Sequence, residues 1–384
     1  MRLQPFLFFA FLSAAVISVE AQPAFRAQAA EIAASLDDSA LAAQVLMTGI
    51  DGRTYLSPGM RALLSRIPAG GVMLFRFNLN TPKEDVRRLL SETVDHITYR
   101  TGIPPFMAVD HEGGLVHRFG PGVQRLPSAY SFWELAQAEG KPAALALAET
   151  LYRSSAREIR DLGITMVLAP VVEPINDDNR LFLTTRSYGS DPAFVEAAAS
   201  VFIESMDAVG IASVLKHFPG NTAADPHYDD SHLMASRAVL DEMVTPFAGI
   251  IQRLSPASVM LSHVVVPAVD DTNASLSRAV IECWLRGELG FEGIAMADDF
   301  AMAAVAASGI SPGAATVKAL NAGMDMVMTW PHSITAVHTE ILDALAAGRL
   351  PRERLLEAAE RIIAEKIRFG LIAPSGGSGQ ASRP

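Results

Sequence analysis

The chain has one cysteine in 384 residues, Cys283, so no internal disulfide can form and no cysteine-based metal or redox motif is available. It also lacks an excess of positive charge. Its 31 Lys+Arg against 42 Asp+Glu give a formal charge of −11, which repels phosphate backbones and anionic lipid surfaces and argues against nucleic acid as a partner. Beyond the first residues no apolar run is long enough to span a bilayer. Disorder throughout is excluded as well, because 50% of the positions are hydrophobic and a chain of this length can bury a large core. The length fits one large α/β domain or two ordinary ones, and no internal repeat or linker-like stretch divides the sequence.

What is present begins with "MRLQPFLFFAFLSAAVISVEAQPAF". A positive residue, Arg2, precedes an apolar stretch from Phe6 to Val19 and the small residue Ala21, as in a secretory signal peptide covering 1–21. Cleavage there would leave an exported protein, periplasmic or secreted, with no stable membrane span; an uncleaved leader would be an anchor instead. No cysteine lies near the leader to carry a lipid. At the other end, "APSGGSGQASRP" (373–384) is rich in Gly and Ser with little to bury and is expected to be a disordered tail. The expected domain is therefore 22–372, with a monomer as the expected state.

Within it, "AEIAASLDDSALAAQVLM" has the apolar spacing of a helix. Short apolar runs then alternate with longer amphipathic ones. The runs that read as strands are "GGVMLF" (70–75), "FMAVD" (106–110), "TMVLAP" (165–170), "ASVLKHF" (212–218), "SVMLSHV" (258–264), "GIAMADD" (293–299) and "MDMVMTW" (324–330). Each is mostly apolar rather than alternating, as in strands buried on both faces. Between them lie helix-like segments such as "TPKEDVRRLLSETVDHI" and "KPAALALAETLYRSSAREIRDLG". Such alternation points to a parallel sheet, and the number of runs predicts a TIM-like (β/α)8 barrel forming a single catalytic domain, with one strand not located.

Ionisable residues gather at the C-terminal ends of these runs: Asp110, Lys216-His217, His263 and Asp298-Asp299. In a barrel those ends share one mouth, where catalytic groups collect. A carboxylate placed directly after a buried strand, as Asp298 and Asp299 are, is a catalytic candidate; one of the two could instead cap the helix begun by "DDFAMAAVAA". In "KHFPGNTAADPHYDDSH" (216–232), Asp225 stands two residues before His227. That spacing lets a carboxylate orient and charge-stabilise an imidazole, giving a general acid/base. Two other readings stay open. His217, Asp225, His227, Asp229, Asp230 and His232 are residue types that ligate Zn, Mn or Fe, and the loop could also be plain solvated surface. In "AVDHEGGLVHRFG", Asp110 can accept from a pair of ligand hydroxyls while Gly113 and Gly114 let the loop pass close by; Arg118 follows. "TTRSYGSDP" presents Arg186 before a helix, as a ligand clamp or an ordinary solvated arginine.

Taken together and in order, "VDHEGGLVHRF", "LAPVVEP", "RSYGSDP", "KHFPG", Asp-Pro-His and "GFEGIAMADDFAM" resemble glycoside hydrolase family 3. The branch they are most similar to is the bacterial β-N-acetylglucosaminidases, also called β-hexosaminidases, over about residues 38–370. The resemblance implies a barrel enzyme that removes terminal β-linked N-acetylglucosamine, typically from peptidoglycan fragments, with retention of configuration and without metal or other cofactor. It places the nucleophile on Asp298, the acid/base dyad on Asp225 and His227, and the substrate-binding positions on Asp110, Arg118, Arg186, Lys216 and His217. A histidine acid/base departs from the paired carboxylates of most retaining glycosidases.

This chain also differs from the family pattern. Asn221-Thr222 stands where His-Gly usually follows "KHFPG", the loop up to Asp225 is slightly shorter, Ala297 replaces a Ser or Thr, His111 replaces a Gln, and Pro226 lies inside the dyad. Beside hydrolysis, three alternatives follow: transfer of the sugar to phosphate, a non-catalytic sugar-binding protein, and a metal-dependent barrel hydrolase.

Overall fold

Runs of about four apolar residues, too short to alternate visibly, make the frame of the molecule. In the computed structural model, which describes residues 21–224, 231–298, 300 and 309–375, eight parallel strands close into a barrel. They are β1 (Leu46–Gly49), β2 (Gly71–Leu74), β3 (Phe106–Val109), β4 (Met166–Val167), β5 (Ala212–Phe218), β6 (Ser258–Leu261), β7 (Ile294–Ala297) and β8 (Met326–Thr329). Each pairs with its neighbour in sequence, and β8 returns to β1 through Leu46↔Val327 and Thr48↔Thr329. With helices such as α3 (Lys83–Thr101), α4 (Lys141–Asp161), α5 (Pro192–Asp207) and α6 (Pro312–Ala322) lying between the strands, this is the expected (β/α)8 barrel. The leader up to residue 20, Asp225, His227, Asp299 and residues 376–384 lie outside the described residues.

β1 is the strand the sequence concealed. The helical spacing expected through Met47 breaks earlier. Helix α1 (Ala21–Ser35) ends, Asp37 accepts from the Ala40 amide at 2.8 Å to start α2 (Asp38–Gln44), and the chain enters the barrel at Leu46. All four residues of β1 are buried, so they continue the apolar face of α2 without a period of their own. α1 packs on the last helix, α7 (Arg352–Arg368), with Ala29 and Ala33 buried in the same apolar cluster as Ile362 and Ile363.

Strand parity divides the core. Met73, Ala108, Met166, Val214, Met260, Met296 and Met328 share one apolar cluster, while their neighbours Val72, Val109, Val167, Leu215, Val259, Ala297 and Val327 belong to the other, which includes residues of α3, α4 and α5. The first set faces the barrel axis, where flexible methionines fill the irregular interior. At the base of the barrel, just before β8, Asp325 is 0% exposed. Its Oδ1 accepts from Arg354 at 2.7 Å and Arg361 at 3.1 Å, and its Oδ2 from Arg286 and, at 2.9 Å, from the Ala295 amide. Burial alone would raise the Asp325 pKa; the three guanidiniums and the amide outweigh it and hold the group below the usual carboxylate range.

Candidate active site

The inward-facing parity continues past the strand ends. Phe75, Asp110, Lys216, Ser262, Asp298 and Trp330 each lie two residues beyond an axis-facing side chain, and all six line one cavity of about 410 Å³ at the C-terminal mouth. That volume is within the ~300–1,000 Å³ usual for small-ligand sites. Met73, Leu168, Met260 and Met328 also line it, and the other polar side chains on its wall are Glu112, Arg118, Arg186, His217, Asn221 and His263.

The charged wall is built on β3, β4 and β5. After Asp110 the chain makes a small antiparallel ribbon, with His111 opposite His117 and Gly113 opposite Val116. Its turn runs through Gly113 and Gly114 at φ 92° and 54°, and a β-carbon on Gly113 would come within 2.2 Å of the Pro127 carbonyl oxygen, so only glycine fits. The extended chain points Asp110 and Glu112 the same way, towards Lys216 at the end of β5. The Lys216 Nζ lies 3.1 Å from Asp110 Oδ1 and 2.6 Å from Glu112 Oε1. Arg186 donates Nε to Glu112 Oε2 at 2.8 Å and Nη2 to Oε1 at 2.9 Å, its guanidinium lying over the Phe182 ring. Arg118 reaches Asp110 Oδ2 at 3.5 Å.

Burial opposes the charges of Glu112, Lys216 and Arg186, yet the pairing overrides it. Lys216 and Arg186 hold Glu112 below the usual carboxylate range, and the carboxylates hold Lys216 and Arg186 above their ordinary values. Glu112, Lys216 and Arg186 are therefore charged at neutral pH.

His217 is held differently. Glu173, 2% exposed, accepts from the His217 amide at 3.1 Å, pairs with His217 Nδ1 at 2.7 Å, and accepts from the Asn221 amide and Nδ2 at 2.7 and 2.9 Å. Burial lowers the His217 pKa in spite of Glu173, which favours the neutral ring with its proton on Nδ1 and Nε2 left as an acceptor. The same carboxylate pins Asn221, four residues before Asp225, at the root of the loop that carries the expected dyad.

The structure thus brings Asp110, Arg118, Arg186, Lys216, His217 and Asp298 around one cavity. Asp225 and His227 are outside the described residues, as are Asp229 and Asp230 of the metal reading. Just after β6, Ser262 donates to the Phe218 carbonyl at 3.2 Å, and Nδ1 of the strand-end His263 sits 2.7 Å from Ser275 Oγ. Sequence reasoning missed Glu112, Glu173 and Asn221 as members of the site. Glu112 was signalled by its place two residues after Asp110 on extended chain, and Glu173 by following a buried strand at three residues' distance from Pro170.

Comparison with known proteins supplies the chemistry's context. The family model described as "Glycosyl hydrolase family 3 N terminal domain" matches residues 43–364. A beta-hexosaminidase of Stenotrophomonas maltophilia is 36% identical over 307 residues, covering 78% of this chain and 85% of that protein. Among solved structures, a glycoside hydrolase family 3 beta-N-acetylglucosaminidase from a Paenibacillus species superposes with a TM-score of 0.81 at 29% identity, over 91% of this chain; the chain spans 65% of that protein's length. A beta-N-acetylhexosaminidase from Beutenbergia cavernae superposes with a TM-score of 0.77 at 25% identity, over 87% of this chain and 99% of that one. The family match takes in every strand of the barrel and the cavity above them, and the chain belongs to glycosyl hydrolase family 3.

Proposed function

We propose that the protein is an exo-acting β-N-acetylhexosaminidase that removes terminal β-linked N-acetylglucosamine with retention of configuration, acting on peptidoglycan fragments after export as a monomer to the periplasm or medium. The observation that carries this reading is Asp298, placed by β7 at the rim of a cavity whose other wall is a fixed array of charged hydrogen-bonding groups.

In this mechanism the terminal sugar sits against Asp110, Arg118, Arg186, Lys216 and His217. Asp110 accepts from sugar hydroxyls, the cations donate to hydroxyls and the acetamido carbonyl, and His217 Nε2 accepts a further hydroxyl proton. Asp298 attacks the anomeric carbon while protonated His227 gives its proton to the departing oxygen. Asp225 keeps the imidazole charged for that step and fixes its tautomer. The sugar is then an ester of Asp298. Water opens it as neutral His227 takes the water's proton, which restores both groups. Because the charged wall is already paired before substrate arrives, little reorganisation accompanies binding.

The test is release of nitrophenol from the β-N-acetylglucosaminide by the chain from Gln22, beside Asp298→Asn and His227→Ala, with and without chelator and with and without phosphate. Chelator-insensitive turnover lost in both variants supports the proposal. Sugar-1-phosphate as the product in phosphate buffer supports phosphorolysis, loss on chelation supports a metal enzyme, and binding without turnover supports a sugar-binding protein.

A further inference from the structure

Beside the ion pairs and Asp298, the lining of the cavity includes two aromatic rings, Phe75 and Trp330. Phe75 follows β2 and Trp330 follows β8, and their rings stack with centroids 5.0 Å apart and planes 20° apart. Phe75 also stacks with Phe77 at 6.2 Å and 6°. Phe75 is thus the middle ring of three. Phe77 is 46% exposed and Trp330 38% exposed, and Trp330 also lines the cavity.

This array is rigidly built. β1 runs between β2 and β8, and it ends at Gly49, where a β-carbon would lie 3.2 Å from Phe75 and 3.6 Å from Pro331; the missing side chain lets the two aromatic loops meet above it. Asn78, fully buried, accepts from the Phe75 amide at 3.0 Å and donates to the Ile50 and Gly52 carbonyls at 3.2 and 2.9 Å, tying the Phe75–Phe77 turn to the loop after β1. The Trp330 carbonyl accepts from the Ser333 and Ile334 amides at 2.9 and 3.0 Å, anchoring that residue to the start of the next helix. Large aromatic surface left in water at a cavity mouth, on a backbone fixed by buried hydrogen bonds, is the arrangement of a preformed ligand surface.

We propose that Trp330, backed by Phe75 and Phe77, forms the subsite for the leaving group, and that the leaving group it takes is a pyranose ring. The proposal rests on the hydrolase reading above. The charged wall suits the hydroxyl-rich, amide-bearing sugar that is cleaved off. A β-linked pyranose on the other side of the bond presents a face of C–H bonds, which an indole covers without any polar partner while its hydroxyls stay in water at the rim. An open-chain or peptide leaving group has no such flat apolar face and gains little from this wall.

The experiment compares two substrates, the β-linked disaccharide of N-acetylglucosamine and its methyl β-glycoside, in the wild type, Trp330→Ala and Trp330→Phe. The expected result is a fall in the ratio of kcat/KM for disaccharide over methyl glycoside of about tenfold in Trp330→Ala, from loss of one stacking contact, with most of the ratio restored in Trp330→Phe. An unchanged ratio, whether both activities fall together or neither does, overturns the subsite. Calorimetric titration of the disaccharide and of N-acetylglucosamine into Asp298→Asn, with and without Trp330→Ala, decides the matter independently of turnover. The disaccharide must bind more tightly than the monosaccharide, and that preference must shrink when Trp330 is removed; equal affinities in both proteins overturn the proposal. Wild-type protein that hydrolyses neither glycoside would defeat the hydrolase reading and leave this titration to judge the subsite. Melting curves of each variant identify a loss due to misfolding, in which case Trp330→Phe carries the comparison.

Discussion

At the base of the barrel, Asp325 is 0% exposed, and three guanidiniums and one amide donate to its two oxygens. At the mouth, Glu112 is almost as buried at 4%, but Asp110 at 21% and Arg118 at 34% stay open to a cavity of about 410 Å³. Both clusters hold their charges against burial by pairing. Burial and a shifted pKa therefore do not separate a working site from a clamp. What separates them is polar capacity facing an open volume at the end of the barrel where the strands point.

The sharpest way to break this comparison is to remove one carboxylate from each end. Asp298→Asn should cost about 10⁴-fold or more in kcat, as expected for loss of a nucleophile, with a melting curve close to wild type. Steady-state kinetics and thermal unfolding on the same preparation check both halves. Asp325→Ala should do the reverse. Three guanidiniums left without their carboxylate should cost about 3–5 kcal/mol of stability, read by urea unfolding, while kcat per folded molecule stays near wild type. If Asp325→Ala lowered kcat without lowering stability, the division of labour between the two ends would be wrong.

Glu173 sharpens the comparison because it is buried like Asp325 yet serves the mouth. Glu173→Gln keeps the shape but presents an amide to four donors, so His217 and the root of the Asn221 loop should lose their alignment. We expect kcat/KM to fall by about 10²-fold, the cost of a misplacement near 1 Å, and the acid limb of the kcat profile to move. A stability loss with an unmoved pH profile would make Glu173 merely structural.

The smallest expected effect concerns His111, fully buried beside Ser155 Oγ at 2.9 Å, whose pKa burial and His117 push down to about 3. In the unfolded chain the ring protonates near pH 6.5, so the unfolded state binds more protons below that pH and stability falls as pH drops from 6.5 towards 3. At pH 5 the loss should be about 2 kcal/mol, and His111→Gln should flatten that slope in unfolding experiments run between pH 7 and pH 5.

Much of this was readable from sequence, for reasons that can be named. Buried parallel strands leave uninterrupted apolar runs, and the first polar residue at the right parity after each run belongs to the mouth; Asp110, Lys216 and Asp298 are such residues. β1 was hidden because Leu46–Gly49 follows a helix of the same apolar character without a break in composition. Glu173 escaped because its partners, His217 and Asn221, lie 44 and 48 residues away. Asp325 was read as part of an apolar strand, since its three arginines come from helices and nothing in "MDMVMTW" announces them. Phe75 and Trp330 have the same parity as the charged residues, but aromatic residues at a strand end look like more core until the cavity beside them is seen.

The central claim is that chemistry at the mouth passes through Asp298. A 5-fluoro-N-acetylglucosaminyl fluoride, which forms the sugar ester readily but slows its hydrolysis, should inactivate the enzyme, and mass spectrometry of the digested protein should find one sugar adduct on the peptide carrying "AMADDF", with fragmentation assigning it to Asp298. Label on Asp299, on Glu112 or on any other residue, or full turnover of the reagent by Asp298→Asn, would contradict the account.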